Sequence, residues 1–168
     1  MGQLKTLTIL DQSYQLLIFP GYYDSLVIDE DRQQILINTF SLTSAHLGEL
    51  IDRKMRPFAL KKIKLELNKL AAEFGFEYNR LTLRRQSSCF GSCSGRNNLN
   101  FNWQIIFLPY PIFRHLLLHE LTHLSVKNHK RQFWDQLKFY DPQTEVHHHW
   151  LKTNGRRCFL FLDKTALF

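Results

Sequence analysis

A chain of 168 residues that is 44% hydrophobic and 22% charged, with only 7 Gly and 5 Pro, has the length of one domain and enough apolar residues for its own core. That composition excludes a disordered, collagenous or low-complexity chain, and no apolar run approaches the roughly 20 residues of a membrane span. The net charge of +7 is uneven: residues 1–50 carry 2 basic and 6 acidic side chains, and residues 51–168 carry 20 and 9. An excess of positive charge in residues 51–168 suits a solvated basic face or contact with nucleic acid.

The first residues show no basic segment followed by an apolar core and a small-residue cleavage site, so no secretory leader is expected. Cys89, Cys93 and Cys158 are few and odd in number, and no Asn-x-Ser/Thr acceptor occurs, as in a chain kept in the reducing cytoplasm. The sequence thus predicts one cytoplasmic domain over residues 1–168, with no membrane contact.

Short β-rich pieces at residues 7–10, 14–19, 26–29 and 34–37, punctuated by Asp11-Gln12, Pro20-Gly21 and Asp29-Glu30-Asp31, predict an antiparallel meander over residues 1–40. From Ser41 the spacing becomes helical. Leu47, Leu50 and Ile51 mark a short helix closed by Pro57, and Ile63, Leu67, Leu70, Ala71 and Phe74 mark a second, ending at Gly75. Lys61, Lys62, Lys64 and Lys69 are its solvent face. Period two returns in residues 76–83 and 99–107, around a Ser-, Gly- and Asn-rich loop at 87–98. Pro109 and Pro111 then introduce helices over about 112–127, 131–140 and 144–152, and the apolar residues 158–162 predict a last strand or packed tail. The fold class is α+β: an N-terminal antiparallel sheet packed with helices, and a core over residues 41–168.

Seven of the eight histidines lie between positions 115 and 149. Among them is His119-Glu120-Leu121-Thr122-His123. Residues four apart on a helix differ by about 40° in azimuth and about 6 Å in rise, so both imidazoles can approach one ion from the same face. Glu120, about 100° away from His119, is poorly placed as a ligand but within reach of a water at the ion's open position. The surrounding run of Leu116, Leu117, Leu118, Leu121 and Leu124 buries this helix, and buried imidazoles need partners. A metal supplies them.

A catalytic zinc takes three protein ligands, and His129 is the leading third. On an unbroken helix it would point off the ligand face, so the helix must break, with Asn128 in a left-handed cap. Glu145 and then Asp141 compete for the same role. The H-x3-H-x5-H spacing is that of the metzincins, but Val126 stands where that class has its turn glycine.

Phe90-Gly91-Ser92-Cys93-Ser94, Asn100-Phe101-Asn102-Trp103, Pro109, the H-E-x-x-H segment, Asn128-His129, Phe133-Trp134 and Trp150-Leu151-Lys152-Thr153-Asn154-Gly155 together resemble the YgjP-like metallopeptidases, relatives of the SprT-like proteases. The resemblance covers residues 60–155 well and the N-terminal part loosely. It departs at Cys89-Phe90, where the family has Arg-Trp. It implies a zincin-like active-site helix after an edge strand, zinc held by His119, His123 and His129, and Glu120 as catalytic acid/base.

The expected activity is zinc-dependent hydrolysis of peptide bonds through a metal-bound water, with Glu120 as general base. The strand over residues 99–108 would align a peptide or protein substrate along its edge. Two rivals stand beside it. One is a SprT-like, nucleic-acid-associated protease using Arg84, Arg85, Arg96, Lys127, Lys130, Arg131, Arg156 and Arg157. The other is a non-catalytic domain in which zinc is structural and Cys93 or Glu145 closes the fourth position. His115 is expected to be packed and hydrogen-bonded. At most one of His147, His148 and His149 can approach the metal, and Tyr110, Tyr140 and Arg157 are candidate oxyanion donors.

Overall fold

The computed structural model describes residues 5–84 and 89–159, apart from the side chains of residues 156, 158 and 159. It is an α+β fold with an N-terminal sheet, a second small sheet and four α-helices. Among the described residues no helix is long and apolar enough to cross a membrane.

The first sheet comprises β1 (Lys5–Ile9), β2 (Gln12–Pro20), β3 (Ser25–Asp29) and β4 (Gln34–Thr39). Alternation puts Leu7, Ile9, Tyr14, Leu16, Ile35 and Ile37 on the buried face. The strands are those the sequence predicts, but their order is β1-β2-β4-β3, and β2 pairs with β4 in parallel. Only the β1–β2 and β3–β4 pairs are antiparallel, so the sheet is not the simple meander expected. Its inner strands β2 and β4 supply four of the six inward side chains, and pairing them centres the apolar face.

The tight β1–β2 turn places Leu10 and Asp11 at φ 47° and 64°, the left-handed pair that a two-residue hairpin requires. The same turn braces the rest of the molecule. Leu10 N donates to Ile106 O at 2.9 Å, and Asp11 Oδ2 accepts from Tyr110 N at 3.1 Å. A carboxylate at that helix start also meets the positive end of its dipole.

Residues 44–74 form one helix, α1 (Ser44–Phe74), with Pro57 inside it. Pro57 does not close a first helix, contrary to expectation. The buried stripe of Leu47, Leu50, Ile51, Met55, Ala59, Ile63, Leu67, Leu70 and Ala71 runs straight past it, and that packing outweighs the roughly 3 kcal/mol an interior proline costs. Thr43 caps the start and Gly75, at φ 71°, ends the helix in the left-handed conformation. Of the lysine face, Lys61 and Lys62 pair with Glu30 in the turn between β3 and β4.

The second sheet has β5 (Arg80–Arg84), β6 (Gly91–Cys93) and β7 (Asn98–Asn102) in the order β5-β7-β6. β6 lies in the stretch read from sequence as loop. β7 is central, paired on both sides, so the helix it leads to does not follow an edge strand. β7 also stops at Asn102, whose side chain accepts from Gln104 N and starts a 3-10 turn over Trp103–Phe107. Trp103 is fully buried and donates through Nε1 to Asp52 of α1 at 2.8 Å.

Three helices follow: α2 (Tyr110–Thr122), α3 (Arg131–Tyr140) and α4 (Thr144–Phe159). Cys158 and Phe159 are helical rather than part of a last strand, and residues 160–168 lie outside the described residues. One apolar cluster runs from Leu7 to Leu151 and includes residues of all four helices.

Candidate metal centre

α2 is the buried helix of the second half. Ile112, Phe113, Leu116, Leu117, Leu118 and Leu121 fix its rotation in the core, which turns His119 and His123 toward α3. The helix ends five residues before the expected boundary. Thr122 Oγ1 donates to Leu118 O at 2.7 Å, and Thr122 O accepts from Ser125 and Val126, so the chain turns immediately after His123. His123 is still in right-handed α conformation and its N–H still reaches His119 O, so the one-turn relation of the two histidines survives.

Asn128 is not the left-handed cap predicted. It is absent from the non-glycine residues at positive φ among those described, and its Oδ1 accepts from Lys130 N at 3.2 Å. The return of the chain is secured downstream, where Trp134 Nε1 donates to His129 O at 3.1 Å.

These turns bring three imidazole nitrogens together. His129 Nε2 stands 3.0 Å from His119 Nε2 and 3.1 Å from His123 Nε2. His123 Nδ1 donates to Val126 O at 2.9 Å; a carbonyl only accepts, so Nε2 of that ring carries its lone pair. Burial, followed by the fields of the neighbouring histidines, pushes the His119 pKa down to about 2, so that ring is neutral at any ordinary pH. His123 is lowered as well, chiefly by burial.

One hydrogen on His129 Nε2 satisfies one neighbour, whereas one cation satisfies all three lone pairs. Tetrahedral zinc holds nitrogen ligands about 3.3 Å apart, given bonds of about 2.0–2.1 Å. The donor set and its spacing therefore fit such an ion. Phe133, fully buried, packs against all three rings at centroid distances of 4.5 to 4.8 Å. It supplies a dry floor.

Glu120 shares with His119 the wall of a cavity of about 250 Å³, which Phe90, Gly91, Leu116 and His148 also line. Its side chain is buried, Oε2 has no hydrogen-bond partner, and burial raises its pKa to about 8. Gly91 makes room for it: a Cβ there would lie 2.9 Å from Glu120 Cγ and 3.0 Å from Oε1. The missing side chain at Gly91 lets the start of β6 lie against Glu120 of α2.

The other candidates separate cleanly. Glu145 is exposed and bonded to Lys138 at 3.0 Å. Asp141 is bound to His115 and His147, so neither acid joins the triad. His115 is buried and hydrogen-bonded, as predicted. Of the three consecutive histidines, His148 stacks on His119 at 6.1 Å and His149 is exposed. Tyr110 Oη donates to Glu66, and Tyr140 packs on Phe74 and Phe76. Arg157 is exposed. Cys93 Sγ faces Lys127 Nζ at 3.8 Å. Neither Cys89 nor Cys93 joins a group of potential metal ligands among the described residues. Sequence reasoning missed Phe133 as floor and Gly91 as cradle, and left the place of His148 open. The aromatic pair at 133–134 and the Gly in a Ser-rich loop were the available signals.

An α+β fold with convergent imidazoles beside a buried glutamic acid falls in the class of metallopeptidases. Residues 1–154 match the YgjP-like metallopeptidase domain, and the chain belongs to that family. Among solved structures, it is similar to the metallopeptidase zymogen of Methanocaldococcus jannaschii jannalysin. The two share 22% identity with a TM-score of 0.46, over 56% of this chain and 96% of that one. No curated protein matches the chain.

Proposed function

We propose that the protein is a zinc peptidase in which His119, His123 and His129 hold the ion and Glu120 is the general base. The close approach of three Nε2 atoms carries this reading. Imidazole ligands favour zinc over calcium or magnesium. Bound there, zinc supplies Lewis acidity toward a carbonyl oxygen and toward water.

The chain's own residues do the rest. His123 is fixed by its bond to Val126 O, and Phe133 packs against all three rings and limits their rotation. Glu120 has a free oxygen and no competing cationic partner in its buried setting. With its pKa near 8 it is protonated at neutral pH in the metal-free protein; positive charge among the imidazoles favours its ionised form. It then takes a proton from water and returns it to the departing amine. A substrate peptide would pair with β6, the edge strand next to α2, rather than with central β7.

Glu120→Gln tests the assignment. It should lower peptide hydrolysis by about 10²–10⁴-fold, the usual contribution of a general base, while zinc content measured by elemental analysis stays at the wild-type level. Wild-type turnover in that variant would contradict the role of Glu120. A nucleic-acid-associated version of the same chemistry is supported by exposed Arg96, Lys127, Lys130 and Arg131 around the loop of His129. It requires binding to DNA or RNA that weakens steeply with salt, and salt-independent binding would eliminate it.

A further inference from the structure

α2 carries a histidine that the peptidase chemistry leaves unused. His115 is 1% exposed. Its Nδ1 donates to Asp141 Oδ2 at 2.6 Å, which leaves Nε2 buried and without a hydrogen-bond partner. On α4, His148 Nδ1 is also buried and unpartnered, and the two rings stand 6.0 Å apart between centroids. Two orphaned ring nitrogens facing one region are a costly arrangement unless something sits between them.

The chemistry of that region narrows the choice. A histidine whose far nitrogen donates to a carboxylate is the usual form of a metal-ligating imidazole, because the carboxylate fixes the tautomer and strengthens the donor. Ligand atoms of His115, His119 and His148 all lie within 4.8 Å of one another. The neighbouring group of His115, Asp141 and His147 is different: both Nδ1 atoms already give their hydrogens to the same Asp141 oxygen, at 2.6 and 2.9 Å. That group is closed, whereas the one facing His148 is open.

We infer that His115 and His148 form a second, weaker position for a divalent transition-metal ion, beside the first on the α4 side of His119. His119 Nε2 is already turned to His129 at 3.0 Å and its one lone pair serves the first ion, so the second ion relies on two imidazoles and binds less tightly. Imidazole donors select Zn²⁺, Cu²⁺ or Ni²⁺ over Mg²⁺ and Ca²⁺. An ion there stands at the wall of the cavity that holds Glu120, where surplus metal competes with substrate for space.

The test is a Zn²⁺ titration of the metal-stripped full chain against a chromophoric chelator. Wild type should show two classes of site, one ion each. His148→Ala should remove the weaker class and keep the tighter. Asp141→Asn, which keeps an acceptor for Gln143 N at the start of α4, should weaken the second class by about 10–100-fold, the usual cost of losing such a carboxylate. A single class in wild type, or a second class unchanged in both variants, would overturn the proposal. Should His115→Phe fold, it must also lose the weak class. Loss of the tight class alone, as expected for His129→Ala, bears on the peptidase reading and leaves the second position standing.

Discussion

His115 and His119 lie one turn apart on α2, yet their surroundings have little in common. His115 is sealed, and its Nδ1 hydrogen goes to Asp141, which also takes one from His147. His119 meets two more imidazoles and no acid, at distances where only a shared proton or a cation removes the conflict between lone pairs. The Nδ1 side of His115 closes on Asp141 within the polypeptide; the three nitrogens around His119 are complete only with something added. Identical side chains on one helix thus acquire structural or chemical roles from what the following turns bring to them.

The comparison can be broken most forcefully at the added component. His123→Ala should reduce both tightly bound metal and peptide hydrolysis to background, checked by elemental analysis and a peptide cleavage assay, while the His115–Asp141 bond and the fold persist. A smaller effect is expected beside Glu120. Gly91→Ala forces a methyl against a buried carboxyl, a misfit of about 1–3 kcal/mol, so activity should fall while metal content stays unchanged.

The closed group can be opened too. Asp141→Ala leaves buried ring N–H groups without an acceptor and should cost about 1–3 kcal/mol in urea unfolding. The effect depends on pH. Burial raises the Asp141 carboxyl, but hydrogen bonds from His115 and His147 outweigh that and leave it below its ordinary value. A lowered carboxylate stabilises the fold above its unfolded pKa, near 4, and that contribution is lost as pH falls through the lower folded value. Wild type and Asp141→Asn should therefore converge in stability at acid pH and differ near neutrality. Smallest of all, Thr43→Ala removes the cap of α1, far from both groups, and should cost about 1 kcal/mol with metal and activity untouched.

Much of this was legible in the sequence. Helix α3 falls on its expected residues, 131–140, because Phe133 and Leu137 set its face and a polar break stands on each side. The closeness of His119 and His123 was legible for a similar reason, since i, i+4 spacing survives any later change in helix length. What escaped was set by long-range packing. Period two identifies β2 and β4 without revealing that they pair in parallel. A local proline rule could not see the apolar stripe that carries α1 past Pro57. The early end of α2 depends on Thr122 bonding back to Leu118, and the union of His115 with Asp141 spans 26 positions. The edge role given to the strand after the Ser-rich loop failed because β6, only three residues long, carries almost no periodic signal.

The most direct test is the zinc stoichiometry of the purified full chain by native mass spectrometry, with wild type, Glu120→Gln and His129→Ala compared under one mild chelator wash. Retention of one ion by the first two and by neither trace nor fraction in the third is the predicted result. A wild type that keeps no ion, or a His129→Ala protein that keeps it as firmly, would contradict the three-imidazole centre.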